Sequence, residues 1–150
     1  MIAAEEKEFF TFLVNNELRV ITSSDETGAY TVVEMIIQPG GGGNTLHTDP
    51  FLETFFAVEG EFEVTRDIGG QLVTSQLRPG QSVSIPHGQK HKFVGAGNRP
   101  GRVISVGLPG YDKLFMALAE AWPAPQGWDP ERTPAAVGPV FERFGVRFFE

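Results

Sequence analysis

The chain contains no cysteine. Disulfide bonds and thiolate metal sites are therefore excluded, and any bound metal must be held by nitrogen and oxygen ligands. Histidine is almost as scarce, with three among 150 residues: His47, His87 and His91. Positive charge is also in short supply. Twelve Lys and Arg face nineteen Asp and Glu, a net charge of −7. Nucleic-acid binding relies on clustered basic side chains, and the densest basic stretch, Lys90-His91-Lys92, is too short to provide such a surface. No apolar run approaches the roughly 18 residues that a membrane span requires. The N-terminal stretch MIAAEEKEFFTFLVNN is acidic before a short apolar run, the reverse of a basic secretory signal. The expectation is a cytoplasmic protein with neither a nucleic-acid nor a membrane partner.

What is present is a chain of ordinary hydrophobicity, 41% apolar and 21% charged, long enough for one domain. Phenylalanine is abundant, with thirteen Phe against two Tyr and two Trp, which points to an aromatic core or an apolar pocket. From about residue 9 to residue 108 short β-branched and aromatic segments alternate with turn signals. FFTFLV, LRVIT, YTVVEMIIQ, ETFFAV, EFEVTR, QLVTSQL, SVSIP, HKFV and RVISVGL read as strands. About nine strands at this spacing predict an antiparallel sandwich or barrel.

The pattern changes after Pro109. In YDKLFMALAEAW, Leu114, Phe115, Leu118 and Trp122 recur at helical spacing, and Pro123 ends the segment. A proline-rich link to Pro134 leads into PAAVGPVFERFG, which reads as a weaker helix interrupted at Gly138-Pro139. The final VRFFE is a short strand or simply packs on the barrel. The expectation is a single domain over 1–150, with a barrel at about 9–108 and a helical tail at about 109–150.

Two spaced motifs stand out. The first is G-x5-H-x-D-x3-E-x6-G, through Gly41, His47, Asp49, Glu53 and Gly60; the second is G-x5-P-x-G-x2-H, through Gly80, Pro86, Gly88 and His91. Residues two apart on a strand project to one side, so His47 and Asp49 share a face. Glu53 opens the next strand, with Phe55 and Ala57 on its face. Closing the sheet would bring these groups and His91 together inside. Two imidazoles with one or two carboxylates suit a divalent Fe, Mn, Ni or Zn ion. Asp49 can ligate directly, act through a water, or pair with a nearby base. His87, in the Pro86–Gly88 turn, reads as a surface or pocket-rim residue. Phe51, Phe55, Phe56, Phe62 and Phe93 read mainly as core, with Phe55 and Phe93 the first candidates to line an apolar cavity. The run Gly40–Gly43 leads into a strand rather than a helix, so it is not a phosphate loop.

These motifs resemble those of the cupin superfamily, usually G-x5-H-x-H-x3,4-E-x6-G and G-x5-P-x-G-x2-H-x3-N. The longer runs FLVNNELRVITSSDETGAYTVVEMIIQPGGG and ETFFAVEGEFEV are similar to small bacterial cupins described as quercetin-dioxygenase-like. The resemblance implies an all-β fold, a double-stranded β-helix (jelly-roll) barrel with a short C-terminal helical extension. It implies a divalent transition metal held by His47, Asp49, Glu53 and His91, and a dioxygenase-like activity on a small aromatic compound. Glu53 would then be both ligand and catalytic base, with Phe55 and Phe93 lining the substrate pocket. A homodimer is also implied. The superfamily includes non-catalytic binders as well, so a small-molecule-binding module and a protein with a vestigial site stand beside the enzyme. Two positions depart from the pattern. Asp49 replaces the second histidine of the first motif, and Gly95 replaces the terminal asparagine of the second, a change expected to touch only a turn.

Overall fold

The computed structural model describes residues 7–150. Its strands form two antiparallel sheets whose inner faces meet in one hydrophobic core. The first sheet has six strands in the order β1-β2-β3-β10-β5-β8. These are β1 (Phe10–Phe12), β2 (Asn16–Thr22), β3 (Thr31–Ile37), β10 (Gly101–Gly107), β5 (Thr54–Glu59) and β8 (Ser82–Ser84). The second has five in the order β11-β4-β9-β6-β7. They are β4 (Gly42–Thr48), β6 (Phe62–Ile68), β7 (Gln71–Leu77), β9 (His91–Gly95) and β11 (Arg147–Phe148). The result is a jelly roll of two facing sheets. The ring of Phe55 from one sheet stacks on Phe93 from the other, with centroids 4.4 Å apart.

Alternation along the strands decides which side chains enter the core. In β3, Thr31, Val33, Met35 and Ile37 are buried; in β9, His91, Phe93 and Gly95 are buried while Lys92 and Val94 are half-buried. The predicted strand over 9–14 is shorter than expected. It ends at Phe12, and Leu13 and Val14 turn the chain into β2 with φ of 43° and 78°. Gly95 does not lie in a turn, contrary to expectation. It ends β9, and a Cβ there would sit 2.4 Å from the Gln38 carbonyl oxygen. A larger residue is excluded by that backbone approach.

The helical tail packs on the same core. A single turn, α1 (Ser24–Thr27), carries a capping box between Ser23 and Glu26. Helix α2 (Tyr111–Ala121) buries Tyr111, Leu114 and Leu118. Helix α3 (Arg132–Arg143) runs through Pro139 without the expected interruption. The residue before a proline is pushed out of the helical region partly by its own Cβ, and here that residue is glycine. The two-residue strand β11 then pairs with β4, Phe148 opposite His47.

Candidate metal centre

His47 lies at the end of β4 and His91 opens β9, and the two are direct partners in the antiparallel ladder. Their rings are 4.3 Å apart, centroid to centroid. Each ring is held by the carbonyl two residues before it. His47 Nδ1 is 2.7 Å from Thr45 O, and His91 Nδ1 is 2.8 Å from Gln89 O. A carbonyl only accepts, so Nδ1 carries the proton in both rings and each neutral Nε2 presents a lone pair inward. Carbonyl contacts of this kind orient metal-ligating histidines. Gly43 leaves room for the arrangement, since a Cβ there would lie 3.0 Å from His47 Cε1.

Asp49 falls one residue beyond β4, yet its side chain turns inward and is 5% exposed. Oδ1 accepts the Phe51 N–H at 2.9 Å, leaving Oδ2 3.7 Å from His47 Nε2 and 3.5 Å from His91 Nε2. Glu53 precedes β5 by one residue and is buried; its Oε2 is 2.9 Å from His91 Nε2. His47, Asp49 and His91 offer ligand atoms that all lie within 4.8 Å of one another.

The contact between Glu53 and His91 is the informative one. At 2.9 Å it has hydrogen-bond length, yet Glu53 Oε2 and His91 Nε2 are both buried and, among the described residues, neither has a hydrogen-bond partner that satisfies it. With the Nδ1 proton committed to Gln89, lone pair faces lone pair, an unfavourable arrangement unless a cation lies between them. A proton can satisfy this one pair. A metal ion satisfies it together with His47 Nε2 and Asp49 Oδ2, and adjacent ligands on an ion with bonds of about 2.1 Å are roughly 3 Å apart in octahedral geometry. The donor set of two imidazole nitrogens and carboxylate oxygens therefore fits a divalent metal.

The electrostatics reflect the same strain. Burial disfavours the charged form of His47, and the neighbouring His91 adds to this, so its pKa lies below the usual imidazole value. Burial acts on His91 in the same direction, but the Glu53 carboxylate outweighs it and raises the pKa. Glu53 is itself raised, by burial and by Asp49, with only partial relief from His91.

The cluster lies in the wall of a cavity of about 570 Å³. Phe55 and Phe93 line it, as expected, whereas Phe51 and Phe62 belong to the core without lining it and Phe56 faces outward. His87 is exposed in its turn. The helical tail supplies much of the remaining wall, including Tyr111, Leu118, Val137 and Phe148. Sequence reasoning missed Tyr111, whose position at the start of α2 reads only as an apolar helix residue. Its hydroxyl is 3.0 Å from Ser105 Oγ, and burial together with the Glu53 charge pushes its pKa well up. Thr45 and Gln89 were also missed; their one available signal is their place two residues before each motif histidine.

Fold and site together define a small two-sheet β protein with a nitrogen-and-oxygen metal-type cluster facing an apolar interior. The cupin-domain family model matches residues 33–107, half of the chain, and includes every residue of the cluster. The chain belongs to the cupin family. Among solved structures it is similar to oxalate decarboxylase of Bacillus subtilis, a protein with Mn(II) centres, at 17% identity and a TM-score of 0.59. That match covers 71% of this chain but only 28% of the decarboxylase. KdgF from Halomonas sp. matches at 20% identity and a TM-score of 0.59, over 71% of this chain and 92% of its own. An RmlC-like cupin from Shewanella frigidimarina matches at 21% and 0.58, over 75% and 92%. At these identities the likeness shows the fold. No curated protein matches by sequence. Among the described residues no helix is long and apolar enough to cross a membrane.

Proposed function

We propose that this cupin is a metal-dependent enzyme, dioxygenase-like in chemistry, acting on a small and largely apolar aromatic compound. The observation that carries the proposal is the unsatisfied pair His91 Nε2 and Glu53 Oε2, converging with His47 and Asp49 beside an apolar cavity. His47, Asp49, Glu53 and His91 would hold a divalent Fe, Mn, Ni or Zn ion. When bound, such an ion supplies Lewis acidity and, for Fe or Mn, redox chemistry towards oxygen. The chain's own residues do the rest. Thr45 and Gln89 hold the rings in the ligating tautomer. Phe55 and Phe93 pack an aromatic substrate and keep water from it. Glu53 serves as a ligand and, when displaced from the ion, as the base that takes a proton from a substrate hydroxyl. In this reading residues 1–150 act as one domain, the tail being a wall of the site. The protein is a homodimer whose exposed outer sheet face, with Phe56 and Val106, is covered by a second copy.

Elemental analysis of untagged protein tests the proposal: about one transition-metal equivalent per chain is expected, with most of it lost in His47→Ala and His91→Ala. Metal far below one equivalent in wild type and variants alike refutes it. The cavity walls beyond the cluster are almost wholly apolar, which favours a second reading as a non-enzymatic binder of small molecules, or as a protein whose metal site is vestigial. Aromatic ligand binding that persists unchanged after chelation, without oxygen uptake, selects the binder.

A further inference from the structure

Strands β7 and β8 are edge strands of the two sheets, and residues of both line one cleft. Between them the sheets stand apart, leaving a second cleft of about 420 Å³. It is separate from the metal cavity and shares no lining residue with it. Arg66 projects into it from β6. Its direct partners in the ladders are His91 on one side and Val73 on the other, so it occupies the inward face of the strand, beyond Phe62 and Val64. A core-facing position in a jelly roll ordinarily carries an apolar side chain. Arg66 is half-buried, and its Nε is buried with no hydrogen-bond acceptor among the described residues. Among the described residues no carboxylate lines the cleft. A guanidinium in such a place lacks the oxyanion that normally accompanies it.

The other polar groups of the inward surface are donors or neutral. Gln81 lines the cleft at the entrance to β8, and its Oε1 accepts the Arg78 backbone N–H at 2.9 Å. Because that partner can only donate, the amide orientation is determined and the remaining end of Gln81 is NH2. Ser75 stands opposite Val64 on β7 and adds a hydroxyl. Gln76, whose Oε1 accepts from Arg78 Nη2 at 2.9 Å, and Ser82 complete the polar lining, and the apolar part comes from Val64, Leu77 and Val83. One cation, the free amide end of Gln81 and the serine hydroxyls beside an apolar floor are complementary to an anionic head with a hydrocarbon body. Inorganic phosphate would leave that floor wet.

We propose that this cleft is a binding site for a small organic carboxylate, its head on Arg66 and Gln81 and its apolar body between Val64, Leu77 and Val83. The site does not depend on the metal centre or on the proposed reaction. Hexanoate is a suitable probe, with neutral hexanamide as the control, titrated at constant ionic strength and followed by residue-resolved NMR of the purified protein. Saturable shifts on β6, β7 and β8 are expected with hexanoate and none with hexanamide. Arg66→Met should weaken hexanoate binding by about tenfold or more, the usual consequence of losing a charge-assisted hydrogen bond. Gln81→Glu keeps the acceptor for Arg78 but adds a negative charge, and should abolish binding; at this exposed position it leaves the fold intact should Arg66→Met not fold. Shifts that cluster around His47 and Phe55 instead, equal shifts with hexanamide, or unchanged binding in Gln81→Glu would overturn the proposal.

Discussion

Two buried glutamates sit on opposite sides of the first sheet, and their surroundings could hardly differ more. Glu34 lies on the outer face of β3 and is 3% exposed, yet it is fully paired. Arg19 reaches it from β2, with Nε and Nη2 at 2.9 Å and 2.6 Å from Oε2, and Arg102 reaches Oε1 from β10. Burial pushes its pKa up, but the two guanidinium groups win and the carboxyl lies below its ordinary value. Glu53, on the inner side, has no guanidinium partner among the described residues: it meets an imidazole lone pair, the Asp49 carboxylate and the Tyr111 hydroxyl, and its pKa rises. A buried carboxylate matched by two arginines is a finished structural element. One left facing other acceptors is incomplete without a cation. Burial is common to both, so what separates a fastening from a candidate site is whether the polar atoms are satisfied.

The sharpest way to break this comparison is to remove a metal ligand. His91→Ala and His47→Ala should each weaken metal binding by about 100-fold or more, since even the loss of a supporting contact costs 10–100-fold. Titration of the chelated protein with Mn(II) or Fe(II) by calorimetry measures this. Chelation of the wild type should lower the melting temperature by roughly 5–10 °C, because metal at 100 times its Kd stabilises by about 2.7 kcal/mol. The His91→Ala protein should show no such shift.

Glu34→Gln tests the opposite side. It should destabilise the protein by about 1–3 kcal/mol in urea unfolding, less than a fully buried pair because both arginines are partly exposed and screened. Metal stoichiometry should stay at the wild-type value. A fall in metal content would mean that the two carboxylates are not independent.

Asp49 decides how far the inner cluster departs from the common family pattern. Asp49→Ala should weaken metal binding by about tenfold. Asp49→His should retain affinity and move preference from Mn or Fe(II) towards Ni or Cu, because imidazole is a softer donor than carboxylate. Competition between metals, read by elemental analysis, checks both. If neither variant differs from wild type, Asp49 takes no part in holding the ion.

The smallest effect concerns pH. The folded-state pKa of Glu34 lies below its ordinary value of 4.5, so its contribution to stability is fully present above that value. It is lost as pH falls through the lower folded-state pKa. Urea midpoints measured from pH 6 down to pH 3 should drop in the wild type, and Glu34→Gln should flatten part of that drop. Parallel curves would show that other carboxyl groups carry the acid sensitivity.

How much of this could be read from the chain depends on distance along it. Strand alternation, the amphipathic period of α2, and the spacing from Gly41 to Gly60 and from Gly80 to His91 are short-range patterns, and the periods of the strand and the helix translate them directly into faces. They sufficed for an antiparallel sandwich or barrel with His47, Glu53 and His91 facing its interior, while the jelly roll itself was implied by the resemblance of the two motifs to cupins. The same patterns are silent on partners brought in from afar. Glu34 reads as an outward acid among apolar residues, and only the pairing of β3 with both β2 and β10 places Arg19 and Arg102 beside it. Arg66 reads as one more charged strand residue until the sheet edges are seen to stand apart around it. The cavity wall formed by α2 and α3 is equally invisible, since a helix period marks which face is apolar but not what it covers. Local periodicity determined which side chains point inward. The long-range order of the strands decided which of them are satisfied on arrival, because that depends on groups far away in the chain, 68 residues for Glu34 and Arg102, and on the geometry that brings them within hydrogen-bond reach.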